Sequence, residues 1–178
     1  TCRIDMHTCR IDTDMRYGRR DTPSSHQATG AQPGPGAPPG PSPQRPSAPS
    51  FTKKALVVGV GSYPHSPLRN PPNDANDIHT ALQRLNFTST LMVDCDTASF
   101  ATGLRRWYDT LEKGDAALFF FAGHGCEYKN DNWLLSKDGI PPDERDLPRV
   151  AINVREVVSE MREAGAFLNV VLLDCCRI

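Results

Sequence analysis

The stretch AALFFFAGHG, Ala116 to Gly125, opens with seven apolar residues in a row and closes on a histidine between two glycines. The apolar run has no polar alternation and is too short for a typical helix. It therefore predicts a strand buried on both faces, the kind that parallel sheets contain. Three other segments share this texture: KKALVVGV (Lys53–Val60), STLMVDC (Ser89–Cys95) and LNVVLLDCC (Leu168–Cys176). Between them lie stretches with apolar residues at helical spacing. These are Ala75, Ile78, Leu82 and Leu85, with Asn73 or Asp74 as the cap; Phe100, Leu104, Trp107 and Leu111; and Val154, Val157, Val158 and Met161. Strands alternating with helices imply right-handed crossovers and a mainly parallel sheet between helical layers, an α/β fold.

Upstream the texture is different. Nine of the 16 prolines fall within residues 1–50, and Thr22 to Ser50 contains no Val, Ile, Leu, Met, Phe, Trp or Tyr. Such a segment buries too little surface to offset its ordering entropy, so residues 1–52 are expected to be a disordered Pro/Gly-rich region. GPGAPPGPSPQRP (Gly34–Pro46) has the PxxP spacing that an SH3-type partner binds, although a plain spacer has the same composition. The folded domain is expected over residues 53–178.

Composition excludes several classes. The net charge is −1, which gives no support to a nucleic-acid or membrane-surface partner. No apolar stretch approaches the roughly 20 residues that span a bilayer. The six cysteines are scattered and no secretory signal is visible, so the expected compartment is cytoplasmic with reduced thiols.

In open α/β sheets ligands bind beyond the carboxyl ends of the strands. The rim residues here are Gly59–Tyr63, Cys95–Thr97, Gly123–Cys126 and Asp174–Arg177. GVGSYP (Gly59–Pro64) starts like a phosphate-binding turn, but proline stands where the third glycine of the fingerprint would be, and a proline-rich loop follows. His124, freed by its flanking glycines, and a thiol from Cys175-Cys176 would meet on one rim if their strands are neighbours. That is the pairing a cysteine nucleophile needs: the thiolate attacks and the imidazole handles the protons. Successive strand residues face opposite ways, so only one of the two thiols can face the histidine, and pattern alone leaves the choice open. Cys126 with Cys175 and Cys176 also admits a zinc reading, but adjacent cysteines lack the CxxC ligand spacing.

From Ala55 to its end the chain resembles the caspase-like cysteine peptidases, particularly the metacaspase, paracaspase and bacterial caspase-homologue branches. The resemblance rests on ALVVGVGSY, LRNPPNDANDIHTALQRL, GDAALFFFAGHG and NVVLLDCCR, in that order. His124 and Cys176 are 52 positions apart (176 minus 124), close to the separation of about 50 in the caspase signature. The resemblance implies a three-layer sandwich, with Cys176 as nucleophile in an Asp-x-Cys pattern and His124 as general acid/base. It also implies an oxyanion hole from the backbone N–H groups of Gly125 and Cys176, a Cys–His dyad with no third catalytic residue, and protein or peptide substrates.

The resemblance to metacaspases and paracaspases further implies cleavage after Arg or Lys, with Asp174 and Asp74 of the N-D-A motif as the substrate-binding residues of the S1 pocket, where two carboxylates suit a cation. Asp74 serves equally as a helix-capping residue. Arg69 is the competing signal for aspartate specificity, but the R-x-G-T-D context of caspases proper is absent. Ala122 and Pro71 depart from the usual metacaspase Ser and Cys. The segment CEYKNDNWLLSKDG (Cys126–Gly139) lacks a convincing oxygen-ligand cluster, so no metal cofactor is expected, although Asp131, Asp138, Asp143 and Glu144 leave calcium dependence open. The chain ends two residues past Cys176, and the expectation is a large-subunit-like fragment whose later strands, part of the substrate cleft, lie elsewhere. The rival reading is a non-catalytic scaffold that recruits partners through the proline-rich tail.

Overall fold

A computed structural model describes residues 51–177; the expected Pro/Gly-rich tail lies outside the described residues. The apolar runs form β1 (Lys53–Gly59), β2 (Thr88–Val93), β3 (Ala116–Tyr128) and β6 (Leu168–Arg177). The helical spacings form α1 (Pro71–Arg84), α2 (Thr97–Tyr108) and α4 (Val154–Glu163). β3 is the centre of the sheet: β1 runs parallel to one edge of it and β6 parallel to the other, while β2 extends the sheet beyond β1. This is the mainly parallel sheet expected.

The unbroken apolarity of β3 is explained by its two faces. Leu118, Phe120 and Ala122 pack with Ala55 and Val57 of β1 against Ala75 and Leu82 of α1. Phe119 and Phe121 pack with Leu56 and Val58 against Phe100, Leu104 and Trp107 of α2 and Val157 and Met161 of α4. One helix covers one face and two cover the other, giving three layers.

Two short strands were not foreseen. Past Ala122, β3 leaves β1 and pairs antiparallel with β4 (Asp131–Leu135), which in turn pairs with β5 (Ala151–Asn153). The turn between β3 and β4 is Lys129-Asn130, both at positive φ (52° and 63°), as two-residue hairpins require. Lys-Asn does not carry the Asn-Gly signature that announces such a turn, and strands of five and three residues are too short for a periodicity. A 3-10 turn (Glu144–Asp146) and the single-turn α3 (Leu147–Val150) complete the connection to β5.

The expected cap of α1 is corrected. The helix begins at Pro71, with Asn70 as its cap residue and no side-chain cap bond, because proline has no N–H to lose at the first helical position. Asp74 falls within the first turn instead, where a carboxylate opposes the helix dipole. Leu85, expected on the apolar face, is exposed because it follows the last turn.

Candidate active site

The carboxyl ends of β3 and β6 carry the residues of interest, and register decides what meets what. Ala122 pairs with Asp174, Gly123 with Cys175, His124 with Cys176 and Gly125 with Arg177. His124 and Cys176 thus occupy facing positions on neighbouring parallel strands. Cys175 belongs to the other set: it packs against the core cluster that contains Tyr63, Cys95 and Phe121.

His124 is held at three points. The loop after β1 brings the Ser66 carbonyl oxygen 2.7 Å from its Nε2. A carbonyl only accepts, so Nε2 carries the ring proton and Nδ1 is left as the basic nitrogen. The backbone N–H of His124 donates to the Tyr63 hydroxyl (2.9 Å), and that hydroxyl donates to the Leu135 carbonyl of β4 (3.1 Å). The Tyr63 ring lies tilted against the imidazole, centroids 4.4 Å apart. Burial pushes the Tyr63 phenol pKa well up despite the opposing His124 bond, so it stays a proton donor.

The flanking glycines have separate reasons. A Cβ on Gly123 would sit 2.6 Å from the Tyr63 hydroxyl and 2.9 Å from the Phe121 ring, so only glycine leaves that hydroxyl its place. A Cβ on Gly125 would approach Cys175 Sγ to 3.1 Å.

The loop itself is tied down by Asp94 at the end of β2. One carboxylate oxygen accepts from the N–H groups of Gly61 (2.7 Å) and Ser62 (2.9 Å), and the other from the Ser62 hydroxyl (2.7 Å). Burial works to raise the Asp94 pKa, but these bonds outweigh it and hold the carboxyl below its ordinary value. Gly61 is required here too, because a Cβ would run into the Leu68 carbonyl oxygen. Sequence reasoning placed Tyr63 on the rim without a role and missed Ser66, Asp94 and Leu135. Ser66 and Leu135 act through backbone carbonyls, which no side-chain motif announces.

Asp74 and Asp174 share a rim. Gly59, Ala122 and Asp174 are register partners across β1, β3 and β6, and the first turn of α1 rests directly on Gly59 through Pro71 and Ala75. Two inter-strand steps separate Gly59 from Asp174, on the order of 10 Å. Asp174 is exposed, Asp74 half-buried and Arg69 exposed on the loop before α1. Val170 and Leu172 pack on the α1 face, and Asp174 is the next position of that alternation.

The remaining thiols and carboxylates are engaged otherwise. Burial pushes the Cys95 thiol up to about 11, and burial, with the charge of Glu144, raises that of Cys126; neither is poised as a thiolate. Asp131 pairs with Arg155 (2.5 Å), Asp138 accepts from the N–H and hydroxyl of Thr97, and Asp143 accepts from Arg145. Among the described residues, no three His, Cys, Asp or Glu side chains are grouped to hold a metal ion. No described helix is long and apolar enough to cross a membrane.

A family model for the caspase domain matches residues 52–178. The mouse homolog of mucosa-associated lymphoid tissue lymphoma translocation protein 1 is 29% identical over 126 residues, or 70% of this chain. The human protein is 28% identical over the same extent. The match spans 15% of the length of those relatives. The crystal structure of protein GSU0716 from Geobacter sulfurreducens superposes with a TM-score of 0.51 at 18% identity, over 70% of this chain and 50% of that one. This last likeness concerns the fold alone.

Proposed function

This chain belongs to the caspase-domain family, and on that premise we propose that it supplies the catalytic dyad of a cysteine endopeptidase cutting after Arg or Lys. The observation that carries the proposal is the facing register of His124 and Cys176, with Nε2 of His124 bonded to the Ser66 carbonyl.

In this mechanism Nδ1 of His124 takes the thiol proton of Cys176, and the thiolate attacks the carbonyl carbon of the scissile peptide. The oxyanion that forms is received by the N–H groups of Gly125 and Cys176. The imidazolium then gives its proton to the departing amine, leaving a thioester on Cys176. Water, deprotonated by the same imidazole, hydrolyses the thioester and restores the thiol. The Ser66 carbonyl suits both halves of the cycle, because it accepts from Nε2–H whether the ring is neutral or charged. Asp74 and Asp174 supply the negative charge that selects a cationic side chain on the substrate.

The test is a panel of peptides differing only in the residue before the scissile bond, presented to the complete protein that carries this sequence, with and without calcium. Arg and Lys peptides are expected to be cut at least about 100-fold better than Asp peptides, given two like carboxylates facing an aspartate. Preference for Asp would overturn the specificity. No cleavage of any peptide by folded protein would overturn the enzyme reading and leave the scaffold reading in its place.

A further inference from the structure

One loop residue touches the proposed base from two directions. Tyr63 is 5% exposed, its ring lies against the His124 imidazole, and its hydroxyl stands between His124 N–H and the Leu135 carbonyl. We propose that Tyr63 is the positioning residue of the active site: its hydroxyl locks the loop after β1 onto β3 and β4, and so fixes the Ser66 carbonyl where it sets the His124 tautomer.

Tyr63 and Ser66 are three positions apart on one loop, and each reaches the same histidine, one at its backbone and one at its ring. The spacing between the Ser66 carbonyl and Nε2 therefore depends on how firmly the loop is held against β3. Asp94 fastens the start of that loop to β2, at Gly61 and Ser62, but does not bind it to β3. The Val60 N–H does so at the first residue of the loop, through the Ala122 carbonyl (2.9 Å). The Tyr63 hydroxyl does so beside His124 itself, and it also reaches β4, where the sheet has parted from β1. It must accept one hydrogen bond and donate the other, which only a neutral hydroxyl can do. The burial that keeps the phenol protonated serves this arrangement. Gly123 completes the device, because any side chain there would meet the hydroxyl. Tyr63 touches no reacting atom. It acts through the histidine, by keeping the proton on Nε2 and the lone pair on Nδ1.

This inference rests on His124 being the base, but its test does not depend on activity alone. In protein labelled with 15N at histidine, the His124 ring nitrogens report the tautomer directly, assigned by their loss in His124→Gln. The native protein is expected to show a single tautomer with the proton on Nε2. Tyr63→Phe keeps the ring and removes the hydroxyl. It is expected to show mixed tautomers, with kcat lowered about tenfold at unchanged KM, as loss of orientation rather than of substrate binding requires. Gly123→Ala leaves Tyr63 in the chain and displaces its hydroxyl, and it should reproduce the tautomer mixture. It decides the matter if Tyr63→Phe does not fold. Mixed tautomers in a variant of a protein that cleaves nothing would uphold the positioning role while removing the peptidase reading. A single Nε2–H tautomer in both variants, or a fall in Tyr63→Phe confined to KM, would overturn the inference.

Discussion

Asp94→Asn is the substitution that isolates the loop anchor. The side chain keeps its shape, and asparagine tolerates the left-handed backbone at this position (φ 48°), so no backbone penalty enters. The amide oxygen can still accept from the N–H groups of Gly61 and Ser62, but it does so without charge, and an NH₂ now faces the Ser62 hydroxyl. Hydrogen bonds to a charged acceptor contribute about 1.5–3 kcal/mol each where buried, and neutral ones about 0.5–1.5. Ser62 is exposed, so solvent screening reduces its two bonds, and the net expected loss is about 1–2 kcal/mol. Urea unfolding at pH 7 measures it. The pH dependence gives a second check. Because the folded carboxyl sits below its ordinary pKa, its stabilisation is fully present above the unfolded value of about 3.9 and is lost as pH falls through the folded value. The gap between the native protein and Asp94→Asn should hold steady from pH 7 to about pH 5 and close progressively below the unfolded pKa. A substitution neutral at pH 7, or a gap that persists undiminished at pH 3, would refute the anchoring role.

Gly61→Ala pushes a methyl into the Leu68 carbonyl and should cost about 1–3 kcal/mol in urea unfolding, with lowered peptidase turnover because the same loop carries Ser66. Lys54→Met leaves Asp115, whose side chain is 4% exposed, without the cation 2.8 Å away. Thr52 and the Glu112 N–H still bond that carboxylate, so a loss of about 2–3 kcal/mol is expected in thermal or urea unfolding, below the usual cost of breaking a buried pair. Asp74→Asn and Asp174→Asn should each lower kcat/KM for Arg peptides by at least about tenfold while leaving stability nearly unchanged; equal effects on an Asp peptide would contradict a charge-reading pocket.

The fold was legible because β3 is apolar on both faces and segments of helical spacing alternate with it and its fellow strands, the pattern of a parallel sheet between helices. The meeting of His124 with one thiol of the Cys175-Cys176 pair was legible as a condition, that their strands be neighbours, and the parallel pairing of β3 with β6 meets it. Which thiol was implied only by the family resemblance, and the register sets Cys176 opposite His124. What the sequence concealed falls into two kinds. The antiparallel extension through β4 and β5 was hidden by short strands and by a Lys-Asn turn whose positive φ angles no glycine advertises. The support of His124 was hidden because it runs through the carbonyls of Ser66 and Leu135, which any residue would present. The start of α1 was misplaced for a related reason. A proline pair reads as a loop, yet the first helical turn has unsatisfied N–H groups anyway and admits proline without loss.

The central claim is that Cys176, not Cys175, is the nucleophile, served by His124 in a pocket that reads a positive charge. It is tested most directly by treating the complete protein with an arginine-terminated peptide carrying a thiol-reactive acyloxymethyl ketone, then locating the adduct by fragmentation mass spectrometry. The expected result is a single adduct on Cys176, retained in Cys175→Ala, lost in Cys176→Ala and strongly slowed in His124→Ala. An adduct on Cys175, or faster labelling by the matching aspartate probe, would contradict it.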